Sequence, residues 1–439
     1  MFGTSGIRGP VGETVTAELA LSVGRALAGD ADRVVVGRDP RESGRILEDA
    51  LVAGLREGGA DAVRLGLAST PTVARSVGWC SADAGVSITA SHNPPPDNGL
   101  KLWQPSGQAF DEPLRLRIES RIADASFDLA PWDDQGHETP WSRARERHVE
   151  VIEAAVSSSD LGVAVDLGNG AGGVSIDALQ AIGCDVETLN AQPDGRFPGR
   201  PSEPTAENCA VLREFVGTSS IDLGIAHDGD ADRLQAVTAA GEWVPGDVLL
   251  AIFAREAASE GDRVAAPVDT SLAVDDAIAD VGAEVVRTRV GDVYVAERAA
   301  EAGVVFGGEP SGAWIWPDAS LCPDGPLAAA KLVELIERRG PLSQLVDDIE
   351  TYPIRRDSLE TTDKARVMER VRTAVESSYE SVDTLDGVRV DLGDAWFLMR
   401  ASGTQPLVRV TAEARAADRA GSVFEEARGL VTDAISETA

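Results

Sequence analysis

Short apolar runs that end at an acidic residue recur three times along the chain: Arg33-Val34-Val35-Val36-Gly37-Arg38-Asp39, Gly162-Val163-Ala164-Val165-Asp166 and Arg263-Val264-Ala265-Ala266-Pro267-Val268-Asp269. Runs this short fit buried strands better than helices. A stretch with helical spacing follows each, then a small turn (Gly59-Ala60-Asp61, Gly183-Cys184-Asp185, Gly282-Ala283-Glu284) and a second strand. Every unit then reaches another apolar strand that enters a polar loop. These are Ala84 to Ile88 before Thr89-Ala90-Ser91-His92-Asn93, Ile221 to Ala226 before His227-Asp228-Gly229-Asp230, and Val304 to Phe306 before Gly307-Gly308-Glu309-Pro310-Ser311. Strands alternating with helices predict βαβ units and mainly parallel sheets. Ligands collect outside the carboxyl ends of such strands, so the repeat sets three loops at equivalent positions.

From about Thr351 the pattern changes. A helical stretch from Lys364 to Glu376 precedes closely spaced strands at Val388–Leu392, Trp396–Arg400 and Leu407–Thr411, which predicts an antiparallel sheet with helices on one face. The expected architecture is α/β: three similar mixed α/β domains with mainly parallel sheets plus a C-terminal α+β domain, around a central cleft. The expected boundaries are 1–150, 151–246, 247–350 and 351–439. A length of 439 residues suits three or four domains.

Composition narrows the function. Asp and Glu number 73 against 40 Lys and Arg, a formal charge of −33. That excludes a broad basic face for nucleic acid or an anionic membrane. With 43% hydrophobic residues the acidity belongs to a folded surface, the kind that suits a halophilic cytosol, where salt screens self-repulsion. The longest apolar run, Val248 to Ala254, is far below the ~20 residues of a membrane helix, and the N-terminus carries no signal-peptide pattern. A cytoplasmic protein, monomer or homodimer, is expected. The four cysteines are scattered and read as buried small hydrophobes.

Four loops carry chemistry. In Ser91-His92-Asn93-Pro94-Pro95-Pro96-Asp97-Asn98-Gly99-Leu100-Lys101 the prolines stiffen a turn that would hold Ser91 at an exposed tip. Ser91 is a candidate nucleophile or phosphoryl carrier, with His92 and Lys101 near in sequence; the alternative is a Pro-rich surface turn. In Asp228-Gly229-Asp230-Ala231-Asp232-Arg233, three alternating carboxylates can share one hard cation, for which magnesium is the natural choice. A calcium EF-hand would need Gly and a carboxylate where Arg233 and Ala239 stand. Glu309 and Ser311 on a Gly-rich frame suit sugar hydroxyls; the alternative is a plain Gly-Pro turn. Arg400-Ala401-Ser402-Gly403-Thr404-Gln405-Pro406, with Arg409 beyond, suits a phosphate dianion; the alternative is a hairpin turn carrying small polar residues. One rival signal is Gly168-Asn169-Gly170-Ala171-Gly172-Gly173, which follows a strand as in NAD-dependent dehydrogenases. An acidic calcium- or partner-binding protein is the non-enzymatic rival.

Taken in order, Thr4-Ser5-Gly6-Ile7-Arg8-Gly9, Thr89 to Pro94, Asp228 to Arg233, Gly308 to Gly312 and Arg400 to Pro406 resemble the α-D-phosphohexomutase family over the whole chain. The stretch Asp166-Leu167-Gly168-Asn169-Gly170-Ala171-Gly172 also resembles that family's second domain, which removes support from the dehydrogenase reading. The resemblance implies an isomerase that interconverts hexose 1- and 6-phosphates through a phosphoserine at Ser91 and a hexose 1,6-bisphosphate intermediate. It implies Mg²⁺ held by Ser91, Asp228, Asp230 and Asp232, and charge stabilisation by Arg8 and Arg233. His92 and Lys101 match positions for proton transfer or phosphoserine contact. Glu309 and Ser311 would hold the sugar, and Arg400, Ser402, Gly403, Thr404 and Arg409 its distal phosphate. The overall form resembles the archaeal branch, and the substrate expected is a small phosphosugar, glucosamine phosphate before glucose or mannose phosphate.

Overall fold

The computed structural model describes residue 3, residues 6–402 and residues 405–438. Nineteen strands among them form four sheets. The first contains β1 (Ile7–Pro10), β2 (Arg33–Arg38), β3 (Asp61–Leu67), β4 (Ala84–Ile88), β5 (Asp97–Trp103) and β6 (Glu138–Pro140), in the order β1-β5-β4-β2-β3-β6. The second contains β7 (Gly162–Asp166), β8 (Asp185–Leu189), β9 (Leu223–His227) and β10 (Leu234–Thr238), ordered β10-β9-β7-β8. The third contains β11 (Arg263–Pro267), β12 (Glu284–Thr288), β13 (Val304–Gly308) and β14 (Trp314–Ile315), ordered β12-β11-β13-β14. The threefold repeat is therefore structural. In each unit the first strand lies between the second and third, parallel to both, and a fourth strand returns antiparallel to the third.

The continuous apolar runs follow from burial on both faces. In β2, Val34 and Val36 enter one core and Val35 the opposite one; Val163 and Val165 against Ala164, and Val264 and Ala266 against Ala265, repeat the division. The second and third sheets share a single core, to which the helices Gly246–Ala257 and Gly325–Arg339 contribute. Three cysteines are buried, but Cys80 is half-buried rather than part of the interior; all four are free. The helix Ala144–Ala155 spans residue 150, where the first boundary was expected, and its buried Ile152 belongs to the core of the second and third sheets.

The fourth sheet, β15 (Ile354–Glu360), β16 (Val382–Asp383), β17 (Val388–Asp391), β18 (Ala395–Ala401) and β19 (Leu407–Ala414), is antiparallel throughout. The helices Lys364–Ser378 and Ala417–Ser436 supply Val367, Val371, Val375, Val423 and Val431 to its core. It docks on the third sheet through Glu413, whose buried carboxylate accepts from the Ser271 hydroxyl (2.5 Å), the Leu272 amide (2.8 Å) and the Trp396 indole (2.7 Å).

A buried polar joint ties the first three units together. Asp324 caps the helix Gly325–Arg339 through the Leu327 amide (3.0 Å), and its other oxygen accepts from Arg75 Nε (2.7 Å) and lies 3.0 Å from His148 Nε2. His148 Nδ1 in turn lies 2.9 Å from the Thr72 hydroxyl.

Candidate active site

Sequence reading places Ser91 at an exposed tip; the structure instead buries it to 1% exposure, because the Asp228–Arg233 loop of the second unit closes over it. Its backbone has φ 51°, a left-handed conformation unusual for a residue with a side chain. The loop is held from beneath. Arg41, fully buried, donates to the carbonyls of Ser91 (2.8 Å), Asn93 (2.7 Å), Pro94 (2.7 Å) and Asp97 (2.8 Å), while its Nε binds Asp39 (2.9 Å). Asp39 also accepts from Thr89, whose oxygen receives the Ser91 amide at 2.8 Å. Phe197 of the second unit lies 5.0 Å from the Arg41 guanidinium, and Ser202 donates to the Ser91 carbonyl at 2.8 Å. Gly229 lets the loops meet, since a Cβ there would stand 2.7 Å from the Ser91 carbonyl oxygen.

The Ser91 hydroxyl donates to Asp228 Oδ2 at 2.5 Å. Asp228, Asp230 and Asp232 are all buried, and each offers a carboxylate oxygen within 4.8 Å of the others'. Their loop is anchored by the Ala171 amide on the Gly229 carbonyl (2.9 Å) and the Thr70 amide on the Asp230 carbonyl (2.9 Å), and Arg200 binds the His227 carbonyl (2.6 Å). The Gly168–Gly173 segment therefore braces the acidic loop, which is a packing reason for its glycines. Burial and the neighbouring Asp232 and Asp230 push the Asp228 carboxyl well up. In Asp230 the Lys101 ammonium and the Thr70 hydroxyl outweigh burial and hold the carboxyl well down. Asp230 Oδ1 and Asp232 Oδ1 are buried with no hydrogen-bond partner. Hard oxygen donors left in that state fit a small divalent cation.

Lys101 lies on β5, opposite Ser87 of β4, and not in a loop. Its ammonium binds Asp230 Oδ2 at 2.9 Å and also Asp232 Oδ2. His92 Nδ1 lies 3.4 Å from the Ser91 hydroxyl; burial and the positive charges of Arg233, Arg8 and Lys101 push its imidazole down to about 2. His92 is thus neutral while Lys101 is charged. Arg8, on β1 beside Gly99, has a buried Nε without partner. Arg233 donates its amide to Asp228 Oδ1 at 3.3 Å.

The third loop joins this group through its backbone, since Leu234 donates to the Gly312 carbonyl at 2.9 Å. Glu309 accepts from the Gly291 amide (2.6 Å) and the Ser311 hydroxyl (3.2 Å); burial and nearby Asp292 push its carboxyl up to about 7. The same 290–291 turn reaches the fourth unit, because Val290 donates to Asp386 (3.0 Å), which pairs with Arg400 (3.3 Å). Arg400 and Arg409 stand directly opposite on β18 and β19. Like charges in facing positions disfavour the bare sheet, an arrangement an anion relieves. Ser402 is buried and its hydroxyl receives the Gln405 amide (3.2 Å), while Lys364 binds the Ser402 carbonyl. Thr4, Ser5, Gly403 and Thr404 lie outside the described residues.

Sequence reasoning thus passed over Arg41, Asp39, Thr70, Ser202, Arg200, Asp386 and Lys364. Their signals are weak, single polar residues at strand ends, in loops or at the first position of a helix, most with partners far along the chain.

The phosphoglucomutase/phosphomannomutase family matches in all four of its parts. These are alpha/beta/alpha domain I at residues 1–129, domain II at 142–241, domain III at 245–352 and the C-terminal domain at 358–430. The chain belongs to this family. Among its members, the probable phosphoglucosamine mutase of Methanosarcina barkeri is 45% identical, covering 99% of each chain. That of Methanopyrus kandleri is also 45% identical, covering 99% of this chain and 98% of the other. A solved phosphoglucomutase/phosphomannomutase family protein from Burkholderia thailandensis superposes with a TM-score of 0.87 at 29% identity, over 99% of this chain and 98% of that one. The fold, at 15% identity and a TM-score of 0.60, is also that of the Aspergillus fumigatus N-acetylphosphoglucosamine mutase solved with GlcNAc-6P and magnesium, over 99% and 96% of the two chains. As a member of the phosphoglucomutase/phosphomannomutase family the chain is an isomerase of hexose phosphates. Among the described residues no helix is long and apolar enough to cross a membrane.

Proposed function

We propose that Ser91 carries the phosphoryl group that this mutase moves between the 1- and 6-positions of a hexose, with glucosamine phosphate as the preferred substrate. The observation behind the carrier role is the 2.5 Å hydrogen bond from the Ser91 hydroxyl to Asp228, inside the only group of three metal-capable side chains found among the described residues. Asp228, Asp230 and Asp232, with the Ser91 oxygen, would hold Mg²⁺, whose charge would offset the phosphoryl oxygens during transfer.

The protein's own groups supply the rest. Arg41 and the strained Ser91 backbone fix the oxygen, so little ordering is left for the reaction. Arg8 and Arg233 bring fixed positive charge to the transferring group. His92 enters as a neutral imidazole that can hydrogen-bond beside Ser91, and Lys101 as a charge. Glu309 and Ser311 would bind the sugar hydroxyls, and Arg400, Ser402 and Arg409 the phosphate not being transferred. Gly403 and Thr404 would complete that clamp. A clamp remote from the chemistry accepts either end of a hexose 1,6-bisphosphate, which allows the intermediate to turn over and return its other phosphate to Ser91.

The glucosamine preference rests on relatives named probable phosphoglucosamine mutase at 45% identity. Comparing kcat/KM for glucosamine, glucose and mannose 6-phosphates tests it. A value for glucosamine 6-phosphate at least tenfold above the others is expected, and equal values would favour a broad phosphoglucomutase/phosphomannomutase.

A further inference from the structure

The carboxylate cluster already contains a cation. Lys101 is buried on β5, and its ammonium bonds to the Oδ2 atoms of both Asp230 and Asp232. Asp228 has a different environment, with the Ser91 hydroxyl on Oδ2 and the Arg233 amide on Oδ1. The oxygens that remain buried without partners are Oδ1 of Asp230 and Oδ1 of Asp232, the second atoms of the two groups that Lys101 holds. Three carboxylates within 4.8 Å of one another in a buried place repel strongly. One ammonium offsets part of that charge and pins two of the three, leaving one free oxygen on each.

We propose that Lys101 is the resident counter-charge of this cluster: it holds Asp230 and Asp232 together before a divalent ion arrives, and its positive charge then limits how tightly the ion is bound. The idea rests on the reading of Asp228, Asp230 and Asp232 as a divalent-cation site. Its physical content is a sign. A side chain that merely shaped the pocket would, when removed, weaken ion binding. A resident positive charge, when removed, leaves three carboxylates short of a partner and strengthens it. For a mutase whose ion must stabilise the phosphoryl group without locking it in place, a brake of this kind sets the working affinity.

The test is Mn²⁺ binding, followed by the loss of free-ion paramagnetic resonance signal in wild type, Lys101→Met and Lys101→Arg. The expected result is affinity at least tenfold higher in Lys101→Met, with Lys101→Arg within about threefold of wild type. Equal or weaker binding by Lys101→Met overturns the proposal while leaving the metal-site reading intact; no uptake by any of the three overturns both. A second measurement needs no charge-removing variant. The chain has only three lysines, Lys101, Lys331 and Lys364, so wild type labelled with ¹³Cε-lysine gives a spectrum in which each is separable. Added Mg²⁺ is expected to shift the Lys101 signal, assigned by its loss in Lys101→Arg, and to leave the other two in place. A Lys101 signal that stays fixed through saturation overturns the proposal.

Discussion

Arg41 Nη2 donates to the carbonyl oxygen of Ser91 at 2.8 Å, fifty residues along the chain, and the same guanidinium holds three further carbonyls of that loop. A lysine has three donors on one point and cannot span four carbonyls and Asp39. Arg41→Lys is expected to lower kcat by about tenfold or more through misplacement of Ser91, with KM changed less than about threefold. Steady-state kinetics beside a melting curve checks this; a rise in KM at constant kcat would assign Arg41 to substrate binding instead.

Ser91→Ala removes the proposed carrier and is expected to cut turnover at least ~10³-fold. Intact mass after incubation with hexose 1,6-bisphosphate provides the second readout, with one added phosphoryl group in wild type and none in the variant. Wild-type-like turnover in Ser91→Ala would end the carrier role.

Glu309 links stability to pH. Its carboxyl sits at about 7 in the folded protein against an ordinary 4.5, so between those values the native state holds a proton that the unfolded chain releases. Its contribution is therefore full below about pH 4.5 and is lost as pH rises through about 7. Denaturant midpoints measured from pH 4.5 to 8 should fall less steeply for Glu309→Gln than for wild type. An unchanged slope would count against this assignment.

Arg409 is exposed and faces Arg400 across the fourth sheet. Arg409→Ala is expected to raise KM for the phosphosugar by about tenfold with a smaller effect on kcat, and to reduce the sensitivity of KM to added salt. Initial rates at low and high ionic strength measure both.

The parts of the fold that were legible in the sequence are those set by local patterning. Val34-Val35-Val36 and its two counterparts are continuous because both faces of each strand are covered, and that pattern revealed three units and their loops. β5 was not legible, because it begins with Asp97-Asn98-Gly99, residues that read as a turn. Here Asn98 is buried and donates to the Ser43 hydroxyl at 2.9 Å, a partner that local pattern does not reveal. The short β16 and the mostly exposed β15 were missed for lack of an apolar stripe. At the site, Ser91 and the three aspartates stood out by residue type and spacing. The burial of Ser91 did not, because the segment that covers it comes from another unit.

Asp324 also bears on the order in which the chain is made. Arg75 and His148 are finished early in synthesis, yet the carboxylate that both require is encoded 249 and 176 residues later. Until that segment has left the ribosome, the Arg75 guanidinium and His148 Nε2 lack the carboxylate that both meet in the finished fold. The buried joint between the first and third units is therefore completed only once residue 324 exists, when roughly three quarters of the polypeptide has been made.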